Sequence, residues 1–209
     1  MYSYQGQYPT EIPFRINLSN GNTRTDPTTF TSEEILDAGY ISVSNAPAIT
    51  DTQVLSWDSD LIDWVIRDKT YEELEVEIIE CGTNAIRQIN EIRMTLRNSP
   101  KYVPQLGASF NADEISLTNI QATFNLALFS QIANLPFQVE FTDANNINRL
   151  LDSTTAIILG STVFTQISVI YQQARHAKDL ILGSVTKEQI TAILQGYIDE
   201  VLGDGSSIV

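Results

Sequence analysis

From Ile78 the apolar and small positions of the chain fall at Ile78, Gly82, Ala85, Ile89, Ile92 and Leu96. The steps alternate four and three, which is a heptad seam on one face of a helix. The surrounding stretch, 70–99, holds no proline. Thr70 followed by Glu73 makes a capping box at its start. Acids fill its opening turns (Glu72, Glu73, Glu75, Glu77, Glu80) and bases its closing ones (Arg87, Arg93, Arg97, Lys101). That order complements the helix dipole, and Pro100 stops the helix. A second long helix is predicted over 153–182, capped by Ser153 or Thr154 and closed by Gly183. Its inner row is Ile157, Gly160, Phe164, Ile167, Tyr171, Ala174, Lys178 and Ile181. Two shorter helices accompany these. One is capped by Asn111, with Asp113 and Glu114 in its first turn, and carries Leu117, Ile120, Phe124, Ala127, Leu128 and Ile132. The other is capped by Thr186 and turns Ile190, Ile193, Leu194, Tyr197 and Val201 inward. Residues 203–209 are expected to fray.

Elsewhere the period is two. Phe14, Ile16 and Leu18 share one face of a strand that ends at the Asn20-Gly21 turn. Residues 31–39 read as a short helix capped by Thr31 or Ser32, and 40–43 as a short strand. Two runs flanking Ser59-Asp60 form a β-hairpin that places Trp57 and Trp64 on one packing face. Residues 100–107 read as a linker. Residues 137–141 alternate as a strand, 143–146 turn, and 147–151 return. The first twelve residues combine Tyr2, Tyr4 and Tyr8 with no element of their own, and read as an arm that orders on a neighbouring subunit. The expected fold is α+β and mostly helical. It comprises a β-rich docking module with an extended arm (1–68), a long connecting helix (69–99), and a C-terminal helical domain with an inserted hairpin at 137–151 (100–209).

The net charge of −14 argues against nucleic acid or an anionic membrane as the main partner. The acids are spread along the chain rather than gathered into a tail, as on a solubilising surface. One cysteine, Cys81, allows no intrachain disulfide, and its place beside the seam marks it as a core residue. The start of the chain lacks the features of a signal peptide, and no apolar run approaches the length needed to span a bilayer, so a soluble product made in the cytoplasm is expected. His176 is the only histidine and reads as a solvated neighbour of Arg175 and Lys178. No Cys/His cluster exists for a metal. Asp58, Asp60 and Asp63 are spaced like part of a calcium loop but lack its glycine and distal glutamate. No nucleotide-binding or hydrolase motif is present. We therefore assign no catalytic residue, no cofactor-binding residue and no metal ligand, and expect a chain that is not an enzyme. Trp57 and Trp64 read as sheet core, with a glycan platform as the alternative.

The segment from Gly107 through Phe110 to Asp113 and Ile115 resembles the "glycine, x, x, phenylalanine, x, x, aspartate" opening of a tailed-phage domain family. That family has no assigned activity and occurs at the C-terminal end of tail-fibre and tail-fibre-assembly proteins. The likeness continues through 137–146, similar to the family's "tryptophan, x, threonine/aspartate, alanine, asparagine" hairpin, with Phe141 near the usual tryptophan. It continues again through 171–181 and 186–190, covering roughly 90–195 in all. The leader, 13–18 and 23–30, with Asp37-Ala38-Gly39-Tyr40 after it, is similar to that of small virion proteins of aquatic phages. The resemblance implies a structural component of a bacteriophage tail, fibre or baseplate-associated, that docks other virion proteins. An assembly chaperone absent from the mature virion and a receptor module for a host-surface glycan are the alternatives. Isoleucine at both kinds of seam position, together with the trimeric habit of tail fibres, points to a homo-oligomer, a trimer with the 70–99 helix nearest its axis. Lys178 inside the second seam fits an interface edge. The alternative is an intramolecular bundle in which the two long helices pair.

Overall fold

Helix α2 (Tyr71–Asn98) begins where the predicted capping box closes. The Thr70 hydroxyl accepts from the Glu73 N–H at 3.3 Å, and the Glu73 carboxylate accepts from the Thr70 N–H at 2.9 Å. Arg67 donates to both oxygens of the same carboxylate at 2.7 Å. Arg67 first, and the Thr70 N–H after it, hold the Glu73 carboxyl down at about 2. The computed structural model describes residues 1–203 and divides into two units, Met1–Glu75 and Val76–Val209. The fraying expected at the C-terminus falls, from residue 204 on, outside the described residues.

The first unit is made of two-stranded antiparallel ribbons: β1 (Tyr2–Tyr4) with β4 (Tyr40–Ser42), β2 (Arg15–Asn17) with β3 (Thr23–Thr25), and β5 (Gln53–Asp58) with β6 (Asp63–Asp68). Helix α1 (Ser32–Asp37) sits between β3 and β4 in sequence, and Thr31 and Glu34 form its capping box. The first residues correct the expectation of an arm that waits for a neighbour: they are ordered within the chain. Besides the β1–β4 pairing, Tyr2 bridges to Thr10, the Ser3 hydroxyl donates to the Gln7 carbonyl at 2.6 Å, and the Tyr4 and Tyr40 rings lie 4.9 Å apart. Gly6 makes the fold-back feasible. Its φ is +81°, and a Cβ there would come within 2.9 Å of the Ser59 carbonyl oxygen. Strand β2 is also shorter than its alternation predicts. Ile16 is buried, but Phe14, next to Pro13, is exposed.

In the second unit the inner row of α2 is the predicted one. Gly82, Ala85 and Ile89 are buried, and Ile78, Ile92 and Leu96 half-buried. Its counterparts belong to the same chain: Ala174, Ala177 and Ile181 of α4 (Ser153–Leu182), and Ile190 and Tyr197 of α5 (Lys187–Leu202). An ion pair from Lys187 to Glu77, at 2.9 Å, ties the start of α5 to α2. The first half of α4 serves a different core, with α3 (Glu114–Ile132), Val103, Phe110, Leu151, Leu159 and Val163. One helix bridging two cores explains why its inner row is not the predicted single seam. Where α3 covers it, the buried positions are Ala156, Leu159, Gly160 and Val163, while Ile157 and Phe164 are only half-buried. By length and composition α4 also matches a membrane span, with a mean hydropathy of 1.4 over its most apolar window, which the reading of the sequence had not recognised. Here Ala156, Leu159, Val163, Ala174, Ala177 and Ile181 pack into the two cores, while Val169, Leu180 and Leu182 stay exposed.

Two further corrections concern short elements. The predicted linker after Pro100 is a ribbon, β7 (Lys101–Val103) with β8 (Ala108–Phe110). Three residues between two prolines are too few to show an alternation. Their contribution is nevertheless large, since Val103 and Phe110 are fully buried. The Lys101 ammonium is buried too. It donates to the carbonyls of Leu96 and Ser99, ending α2, and burial pulls it down to about 8. The caps of α3 and α4 are aspartates, not the predicted Asn111 and Ser153 or Thr154. Asp113 accepts from the Ile115 and Ser116 N–H groups, and Asp152 from Thr155. A carboxylate one residue before the first turn reaches those donors directly.

Candidate functional site

The residues of the "glycine, x, x, phenylalanine, x, x, aspartate" segment each have a structural task. Gly107 turns the chain in the left-handed region at φ +57°, Phe110 is fully buried, and Asp113 caps α3. The next segment of the motif forms the hairpin of β9 (Gln138–Thr142) and β10 (Asn148–Asp152). Phe141 lies on β9, and its ring lies 6.0 Å from that of Phe110. Asp143 organises the turn. One of its carboxylate oxygens accepts from the N–H groups of Asn145 and Ile147 at 2.8 and 3.0 Å, and the other from Arg149 Nε at 2.8 Å. Arg149 donates in turn to the Leu106 carbonyl, and Ala144 N–H to the Ser109 carbonyl. One buried carboxylate thus joins the hairpin to the β7–β8 ribbon.

Led by the Ile147 N–H and helped by Arg149, these donors hold the Asp143 carboxyl below its usual range. A carboxyl whose pKa is lowered by folding stabilises the fold above its unfolded pKa of about 4, and that stabilisation is lost as pH falls through the folded value. Asp143→Asn is therefore expected to melt about 5–10 °C lower than wild type at pH 7. The gap should shrink steadily below about pH 4. Thermal melts from pH 7 to pH 3 measure both effects, and a pH-independent gap would show that charge plays no part.

Between α3 and β9 lies an open groove of about 560 Å³, lined by Asn111, Ser116, Asn119, Thr123, Glu140 and Thr142 among others. Its amides and hydroxyls suit hydrogen-bonded recognition. Asp143 borders it, but the carboxylate is already engaged in the turn, so no free acid pair faces the space. This groove was not legible in the sequence, because its two walls are separated by the α3–β9 connection and no motif spans them.

The residues weighed as chemical candidates do not converge. His176 is exposed on α4, and Cys81 is half-buried among the α2, α4 and α5 core side chains. Asp58 accepts from the N–H groups of Asp60 and Leu61, and Asp63 from that of Trp64, so both cap the hairpin turn. Among the described residues no group of three potential metal ligands occurs. Trp57 and Trp64 face one another across β5 and β6, edge to face, with ring centroids 5.3 Å apart. Both indole N–H groups are engaged: Trp57 donates to the Gly6 carbonyl at 2.8 Å and Trp64 to that of Ser44 at 3.1 Å, while Tyr8 packs against Trp64. Trp57→Ala should cost about 3 kcal/mol, the low end for a large aromatic because the ring is half-buried. It should also release the first ten residues to limited proteolysis, and urea titration with timed digestion checks both.

No curated protein and no solved structure matches this chain significantly. Residues 82–195, more than half of the chain and including both motif segments, match the family described as Domain of unknown function (DUF4376), and the chain belongs to that family.

Proposed function

We propose that the protein is a structural component of a bacteriophage tail, fibre or baseplate-associated, that docks other virion proteins and acts without catalysis. The observation that carries this reading is the likeness of 107–115 and 137–146 to a tailed-phage domain. It is supported by the role of the motif residues: Gly107, Phe110 and Asp113 turn, pack or cap, and Asp143, though it borders the groove, has both carboxylate oxygens engaged within the hairpin. Exposed Ile115, Leu126, Phe129 and Ile132 on α3 add apolar surface of the kind that docking uses. On this reading the chain works in the virion after synthesis in the host cytoplasm, in contact with tail proteins and further copies of itself.

Mass spectrometry of gradient-purified particles of the encoding phage tests the proposal. Peptides of this chain at a level comparable to known tail proteins are expected. Absence from particles, combined with loss of fibres when the gene is deleted, would instead assign it as an assembly chaperone. Binding on a glycan array that disappears in Trp64→Ala would assign it as a receptor module.

A further inference from the structure

Helix α2 carries two apolar rows, and the core uses one. Beside the buried row, about a quarter-turn round the helix, run Val76, Ile79, Thr83, Ile86, Asn90 and Met94, again at steps of three and four. Val76, Ile79 and Met94 are 54, 60 and 43% exposed. A shallow groove of about 420 Å³ follows the row past Thr83, Ile86 and Met94. A larger one, about 620 Å³, adjoins Ile86 and is lined by Arg93, Tyr171, Arg175 and Lys178, with one acid, Asp179. In a chain of net charge −14 with only 12 bases, the two grooves carry four bases, Arg87, Arg93, Arg175 and Lys178, against two acids, Glu91 and Asp179, which pair with Arg87 and Arg175. Arg93 lies 5.0 Å above the Tyr171 ring, and its buried Nε has no hydrogen-bond partner among the described residues. The first half of the same helix is acidic, and Glu72, Glu75 and Glu80 are exposed.

We propose that this outer row docks the same row of a second copy, antiparallel, about a two-fold axis near residue 85. An acidic first half and a basic second half on one helix are self-complementary only in that arrangement. Each acidic half then meets the other copy's basic half, and the apolar row closes along the centre. A parallel pair or trimer would align acid with acid and base with base, which costs free energy at every turn. The buried seam expected to lie at a trimer axis is filled by α4 and α5 of its own chain, whereas in the outer row Val76, Ile79, Thr83 and Met94 are exposed, Ile86 is half-buried, and Asn90 accepts from Lys178 Nζ at 3.3 Å. The inference stands apart from the virion reading, since it rests only on the helix and its charges.

The full chain carrying Cys81→Ala, which removes its only cysteine, allows a geometric test with a bismaleimide of about 10 Å reach. Around a two-fold axis at residue 85, Thr83→Cys lies close to its own copy, whereas Val76→Cys and Met94→Cys each lie roughly 27 Å from theirs. Thr83→Cys should therefore cross-link to itself. Val76→Cys and Met94→Cys should cross-link only when mixed. Sedimentation equilibrium should give a dimer whose dissociation constant rises severalfold with salt. Ile79→Lys should give a monomer with an unchanged circular dichroism spectrum, and a melting temperature that no longer rises with protein concentration as that of wild type does. Self-cross-linking at all three positions would establish a parallel assembly and overturn the proposal. A monomer mass at about 50 µM would overturn it as well, as would a dimer indifferent to Ile79→Lys.

Discussion

Ile89→Lys is expected to unfold the second unit, whereas Ile79→Lys, ten residues earlier on the same helix, leaves it folded. Ile89 is fully buried between α2, α4 and α5. Losing its side chain costs about 2–5 kcal/mol through lost transfer and the cavity left behind. An ammonium without a partner in that space adds the desolvation of a charge. The combined effect should exceed about 5 kcal/mol, which equals much of the stability of an ordinary domain. Ile79 is largely exposed, and its replacement should change stability by no more than about 0.5 kcal/mol. Urea titration monitored by circular dichroism measures both variants. If Ile89→Lys only dissociated an oligomer and kept its helices, the row it belongs to would be an interface and not a core.

That contrast marks the limit of what heptad spacing reveals. The α2 row was legible because one period runs from Ile78 to Leu96 inside a stretch, 70–99, that holds no proline, begins with a cap and is graded in charge. Spacing shows that something packs against the row. It does not show whether the partner is the same chain, and here it is. In α4 the period was legible but the face was not. Its first half meets α3 and its second half α2 and α5, so burial falls on Ala156 and Val163 where a single seam would favour Ile157 and Phe164. That Trp57 and Trp64 share a face could be read because the two runs are long, but their register could not: a two-residue turn at Ser59-Asp60 would pair Asp58 with Leu61, whereas Asp58 pairs with Asp63 and Trp57 with Trp64. The β7–β8 ribbon could not be read, because strands of three residues, one of them enclosed by Pro100 and Pro104, carry no periodic signal.

At the candidate site the same asymmetry holds. Asp143 lies in an Asp-Ala-Asn-Asn turn whose composition signals only a change of direction. That its carboxylate is buried and held by Arg149 follows from the contact between hairpin and β7–β8 ribbon, which no local pattern encodes. The aspartate caps of α3 and α4 were missed by one or two residues for a smaller reason. Several polar residues precede each helix, and hydrogen-bond geometry alone decides which of them reaches the first free N–H groups.

Gly160→Ala should destabilise the second unit although alanine is the better helix former. An added Cβ at Gly160 would lie 2.6 Å from Phe124 Cδ2, 2.8 Å from its Cβ and 2.9 Å from its Cγ. Rotating the Phe124 ring relieves the first of these contacts. It cannot move the Phe124 Cβ, which is bound to the α3 backbone, so α3 itself must shift away from α4. That shift opens the core around Ile120 and Ala127 and disturbs the edge-to-face pair of Phe124 and Phe164, whose centroids are 6.1 Å apart. Overpacking of this kind costs about 1–3 kcal/mol, and the gain in helix propensity offsets up to about 1. A net loss of about 1–2 kcal/mol is expected for alanine, and more than about 3 for valine, whose branch adds volume at the same point. In a Phe124→Ala background the contacts to Cδ2 and Cγ disappear while the 2.8 Å contact to Cβ remains, so Gly160→Ala should cost less there than in wild type but still more than nothing. Urea titration of the four members of this cycle gives the coupling directly. If Gly160→Ala stabilised the wild-type chain by the full propensity gain, α3 and α4 would not approach as closely as this glycine implies.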